Sequence, residues 1–111
     1  SHWMWFIFPQ LRHLGRSPTA LRYGIEDLGE ARDYLADPVL SSRLSEAAKA
    51  LLLHKDKDPI QIMGAIDALK LRSSATLFRE AGGGPEFGDI LRVFYGGEPC
   101  PLTLRALGNE P

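Results

Sequence analysis

The chain has 111 residues, 44% of them hydrophobic and 24% charged, enough for one core and too short for two. That balance excludes a disordered chain, and the longest apolar run, Trp3 to Pro9, falls far short of the ~20 residues that span a bilayer. With 13 basic and 14 acidic side chains the net charge is −1, without the basic footprint that nucleic-acid binding needs.

Both tryptophans and two of the five phenylalanines fall within Ser1 to Gln10. This run is too continuously apolar to show a period, and Pro9 stops any helix near Phe8. A short helical segment is expected, because everything downstream reads as helix. Leu11 to Arg16 reads as a loop or frayed turn. Ser17-Pro18 then opens a short helix reaching about Gly24, with a hydroxyl cap followed by proline at the first helical position.

Asp27-Leu28-Gly29-Glu30 fits a capping box, with Glu30 reaching back to the cap. Its helix runs to about Ala36 and buries Leu28, Ala31 and Leu35. Asp37-Pro38 opens the longest helix, to about His54, with an apolar stripe of Leu40, Leu44, Ala47, Ala48, Leu51 and Leu52. Asp58-Pro59 starts a third capped helix that Gly64 ends. Asp67 is expected to cap the next, Ala68 to Ala81, whose core line is Leu71, Ala75 and Phe78. Gly82-Gly83-Gly84 stops it. Pro85 begins another through Val93 to Tyr95, with Phe87, Ile90, Leu91 and Phe94 inward. Pro101 to Leu107 is the last, carrying Leu102, Leu104 and Leu107. The expectation is an all-α fold of six or seven helices in one domain spanning 1–111.

Few residues point to chemistry. The triglycine lacks the Lys-Ser/Thr pair and the preceding strand of a phosphate loop, so a helix cap is the better account. Lys70-Leu71-Arg72-Ser73-Ser74-Ala75-Thr76 is denser in polar groups than a core helix requires. Its cations and hydroxyls suit a phosphate or carboxylate; the competing reading is that small serines let helices approach. His2 beside Trp3 and Trp5 could stack a ligand, although a satisfied structural histidine explains it as well. No pattern carries metal-ligand spacing, so no metal and no cofactor are expected. The one cysteine, Cys100, excludes an intrachain disulfide and reads as a small, partly buried thiol. Residues 1–25 hold Arg12, Arg16 and Arg22 and no acid, against ten bases and fourteen acids in the remainder. These arginines are expected to pair with acids downstream. A secretory signal is missing from the sequence pattern, so a cytoplasmic location is the default expectation.

Taken together, His2-Trp3-Met4-Trp5-Phe6-Ile7-Phe8-Pro9-Gln10, Gly15-Arg16-Ser17, Tyr23, Tyr34-Leu35, Pro38-Val39-Leu40, Arg43-Leu44, Lys70-Leu71-Arg72-Ser73-Ser74, Thr76-Leu77-Phe78, Gly96-Gly97 and Thr103-Leu104 resemble the uncharacterised family called domain of unknown function 1810. The resemblance covers essentially the whole chain. It implies a small, soluble, all-helical protein in an armadillo-like arrangement, with no established activity. Some members carry the label calpastatin, but this chain shows none of the short inhibitory repeats of true calpastatin. Two departures stand out. Members usually begin with about one further helix and a basic stretch, so an N-terminal helix is expected either to be missing here or to precede the stretch in hand. The position of Cys100 usually holds an aspartate that would cap the last helix.

Two functions follow as expectations. One is binding of a small anionic or nucleotide-like ligand between the 2–10 segment and the 68–81 helix, by His2, Trp3, Gln10, Arg16, Ser17, Lys70, Arg72 and Ser73. The alternative is a helical-repeat protein–protein interaction module without catalysis. Neither nucleic acid nor membrane is an expected partner, and no motif fixes catalytic residues.

Overall fold

Aspartates set three of the helix starts. Asp27 Oδ1 accepts the Glu30 amide at 2.9 Å and opens α1, Leu28–Ala36. Asp37 Oδ1 accepts the amides of Val39 at 2.9 Å and Leu40 at 3.0 Å, with Pro38 leading α2, Pro38–Leu52. Asp58 accepts the Ile60 amide at 2.8 Å while Gln61 Oε1 accepts the Asp58 amide at 3.4 Å, a reciprocal cap on α3, Pro59–Met63. The chain continues with α4, Ala65–Glu80, α5, Pro85–Tyr95, and α6, Pro101–Ala106. These elements come from a computed structural model, which describes residues 7–14 and 22–108 apart from the His13 side chain. Most of the opening aromatic run and of the helix expected after Ser17-Pro18 lies outside the described residues.

The all-α expectation holds: six α-helices and one 3-10 turn, Arg12–Leu14, account for the described elements, with no β-strand among them. A single parallel bridge, Leu11 to Ile25, ties the N-terminal segment down. Arg12 N–H donates to Ile25 O and Ile25 N–H to Gln10 O, each at 2.8 Å. Apolar periodicity does not signal such a bridge, because it uses main-chain groups alone.

Helix α4 is the hub. It packs against α1, α3, α5 and α6, and α2 closes the core by packing on α1 and α5. Leu71, Ala75 and Phe78 are buried as their spacing requires, and so are Ser73, Ser74, Thr76 and Leu77. Small side chains on several faces let neighbouring helices approach from more than one direction. Phe78 sits at the centre, its ring 5.3 Å from Tyr34 and 5.7 Å from Phe87. Phe8, Leu11 and Ile25 join the same core. Packing around one helix differs from a solenoid, in which each unit touches only its neighbours; the armadillo-like arrangement is not confirmed.

Several local expectations change. Asp67 does not cap α4: the helix begins at Ala65 after Gly64, whose φ of +86° turns the chain between α3 and α4. Asp67 lies in the first turn, where a carboxylate still complements the helix dipole. Glu30 reaches back as expected, but to the Glu26 amide at 3.3 Å and not to the cap residue. Helix α2 ends at Leu52, since Leu53 and His54 donate to Ala50 and Leu51 and tighten the last turn. In α6 the residue turned fully inward is Thr103; Leu102 is 57% exposed.

The triglycine closes α4 as a Schellman cap. Gly82 takes φ +88°, Gly82 N–H donates to Arg79 O at 3.1 Å, and Gly83 N–H donates to Phe78 O at 2.8 Å.

Candidate functional site

The polar stretch of α4 works mainly as stitching for the C-terminal segment. Thr76 Oγ1 donates to Arg72 O at 2.8 Å and accepts the Cys100 amide at 2.9 Å. Ser73 Oγ and Thr103 Oγ1 share a buried hydrogen bond of 2.8 Å. Arg72 Nε donates to the Glu98 carbonyl at 3.0 Å. Together these bonds hold residues 98–103 against α4, although nothing in 96–101 is regular structure before Pro101. Of the two serines, Ser74 fits the close-approach reading: it is fully buried and its Oγ has no partner among the described residues.

Between that segment, α4 and the start of the described chain lies a cleft of about 320 Å3. It is lined by Gln10 and Leu14 from the N-terminal segment, by residues 66–73 of α4, and by Cys100 to Leu102. The volume is at the small end of ligand sites, and the walls are largely aliphatic.

Gln10 is the unusual member. Only 5% of it is exposed, yet its side-chain carboxamide makes no hydrogen bond among the described residues.

Arg72 is held from two sides. Its guanidinium lies 5.9 Å from the Tyr95 ring centre, and its Nε is tied to main chain. Arg72 Nη2 also approaches Glu98 Oε2 at 3.5 Å, but the Glu98 side chain is 79% exposed, so that contact is weak. Lys70 Nζ stands 3.8 Å from Oδ1 of the buried Asp67. Tyr95 donates its hydroxyl proton to the Ala68 carbonyl. Burial pushes the Tyr95 phenol well above its ordinary value of 10.0, against the opposing charge of Arg72 and with help from Asp58. It therefore stays a neutral donor at physiological pH.

The structure thus brings Gln10, Lys70, Arg72 and Ser73 into one cleft. His2, Trp3, Arg16 and Ser17 lie outside the described residues. Ser73 is present but its hydroxyl is committed to Thr103. Of the early arginines, Arg12 pairs with Glu26 at 2.8 Å as expected, whereas Arg22 stacks over Tyr23 at 5.4 Å. That Cys100 and Leu102 line the cleft, and that Glu98 meets Arg72, was not legible in the sequence. The only signal for them was the row of mid-helix hydroxyls on α4, which demanded partners without saying where those would come from.

Cysteine caps poorly, and Cys100 gives α6 no side-chain cap. Its thiol lines the cleft instead. Among the described lining residues there is no histidine or carboxylate to act on it. No group of three or more potential metal ligands occurs among the described residues, and no helix among them is long and apolar enough to cross a membrane.

Comparison with known proteins gives one family and one close structure. The model of the family described as "Protein of unknown function (DUF1810)" matches residues 1–107. The crystal structure of the conserved hypothetical protein Rv1873 from Mycobacterium tuberculosis superposes with a TM-score of 0.93 at 43% identity, over 97% of this chain and 78% of that one. No curated protein matches.

Proposed function

The chain belongs to the DUF1810 family of proteins of unknown function, and we propose that its cleft beside α4 binds a small organic anion. The observation carrying this reading is Gln10: a buried carboxamide lining the cleft, without a hydrogen-bond partner among the described residues, in the same cleft as a cation held in a defined orientation. A ligand oxygen would satisfy the amide while the guanidinium supplies charge and two-pronged geometry. Ile66, Leu69 and Leu102 offer apolar surface for the ligand body. The role is binding rather than a defined reaction, because no nucleophile–base pair lines the described cleft.

A thermal-shift screen against nucleotides, phosphorylated metabolites and carboxylic acids tests this. A stabilising hit that Arg72→Ala and Gln10→Leu both abolish supports the reading. A panel without any shift removes it.

One observation favours the interaction-module reading instead. Ile66, Leu69 and Leu102 are 68%, 65% and 57% exposed, and Ile60 nearby on α3 is 56% exposed. Leu69 is shared with a second hollow lined by Ile60, Phe94 and Tyr95, so the apolar surface continues across α4. Analytical ultracentrifugation and pull-down with Leu69→Asp as the control would separate a docking face from a ligand cleft.

A further inference from the structure

We infer that the ligand is an organic monocarboxylate that replaces the Glu98 side chain on Arg72; this rests on the binding role proposed for the cleft. Arg72 carries two kinds of restraint. The main-chain bond from Nε to Glu98 O at 3.0 Å and the Tyr95 ring fix the plane of the guanidinium. Neither involves the Glu98 carboxylate. That carboxylate adds only a 3.5 Å approach to Nη2 from a side chain that is 79% exposed. It can swing into water while the guanidinium stays in position, leaving a carboxylate-sized place on an oriented cation. Glu98 is in effect an intramolecular competitor of the same chemical class as the ligand.

The charge of the described groups favours a carboxylate over a phosphate. Among the described groups, Lys70 is matched by Asp67 at 3.8 Å, and Asp67 is 5% exposed within the first turn of α4, so that pair stays. Arg72 is matched by Glu98. With Glu98 displaced, the described groups leave one net positive charge, which suits a monoanion better than a phosphate dianion. With Lys70 held to Asp67, the described donors facing a ligand are chiefly the Arg72 guanidinium and the Gln10 amide, a set that matches the two oxygens of a carboxylate. The aliphatic walls, with Leu14, Ile66, Leu69 and Leu102, then fit a hydrocarbon body on that carboxylate.

Cys100 makes the test direct, because it is the only thiol of the chain and lines the same cleft. Alkylation of the full chain by iodoacetamide, followed by intact mass, is measured with benzoate, hexanoate, benzamide and inorganic phosphate as probes. Benzoate or hexanoate is expected to slow alkylation, with benzamide and phosphate weaker. Glu98→Gln is expected to lower the half-protecting benzoate concentration about 2- to 5-fold, the worth of an exposed ion pair. Arg72→Gln should abolish protection; because that change also removes the bond to the Glu98 main chain, the exposed Glu98→Gln variant decides the matter. If benzoate protects in an Arg72-dependent way but Glu98→Gln leaves its concentration dependence unchanged, displacement is wrong and the binding role survives. Stronger protection by phosphate, or equal protection by benzamide, overturns the carboxylate class while the cleft remains a binding site. No protection by any probe removes the inference together with the role it rests on.

Discussion

Removing the Ser73 hydroxyl separates a structural from a ligand-contacting serine. Ser73 Oγ and Thr103 Oγ1 lie 2.8 Å apart, and the two residues are 3% and 0% exposed. Ser73→Ala therefore leaves the threonine oxygen without a partner in the interior, at a cost of about 1–3 kcal/mol. Thr103→Val, close to isosteric, strands the serine oxygen and costs about as much. In the double variant neither polar atom remains, so its destabilisation should fall short of the sum of the two by about 1 kcal/mol. Urea unfolding with a shared m-value reads all four proteins, and for a chain of this size each kcal/mol corresponds to about 4 °C in Tm. Strict additivity would refute the hydrogen bond. So would a Ser73→Ala protein within about 0.5 kcal/mol of the parent, the range of ordinary surface changes.

Three further outcomes are expected. A Cβ on Gly83 would lie 2.7 Å from two carbons of the Phe87 ring and 2.9 Å from the Phe78 carbonyl oxygen, so Gly83→Ala should cost about 1–3 kcal/mol in urea unfolding, and a neutral result would show that the α4–α5 junction can relax. Cys100→Asp supplies α6 with the side-chain cap it lacks and should gain about 1 kcal/mol by the same assay, a loss of stability arguing against the capping geometry. Burial raises the Tyr95 phenol above 10.0 and also raises Tyr34, while the unfolded chain deprotonates near the ordinary value. Their contribution to stability is complete below pH 10 and is lost as pH rises further. Tyr95→Phe should flatten the fall in the urea midpoint measured from pH 8 to 11, and an unchanged slope would contradict a buried, raised phenol.

Local sequence was enough to place the aspartate-capped helix starts, though not the start of α4. Aspartate followed by proline dictates where α2 and α3 begin, because the carboxylate takes amides that the first turn leaves unpaired and proline has none to lose. The spacing of Leu71, Ala75 and Phe78 likewise identified the buried line of α4. Both are local or periodic, so one strand of letters carries them. What tertiary structure decided is which helix becomes the hub and what its hydroxyls meet. Ser73 and Thr76 read first as packing residues and second as ligand groups, and only the fold shows what their hydroxyls meet: Thr103 and the Cys100 amide, 30 and 24 residues away. Gln10 carried no distinguishing signal beyond being polar beside an apolar run. Its meaning comes from burial without a hydrogen-bond partner among the described residues, in a cleft that residues 66–73 and 100–102 also line. Capping and periodicity act over one or two turns, whereas a site depends on contacts between segments far apart in the chain, and no local pattern encodes those.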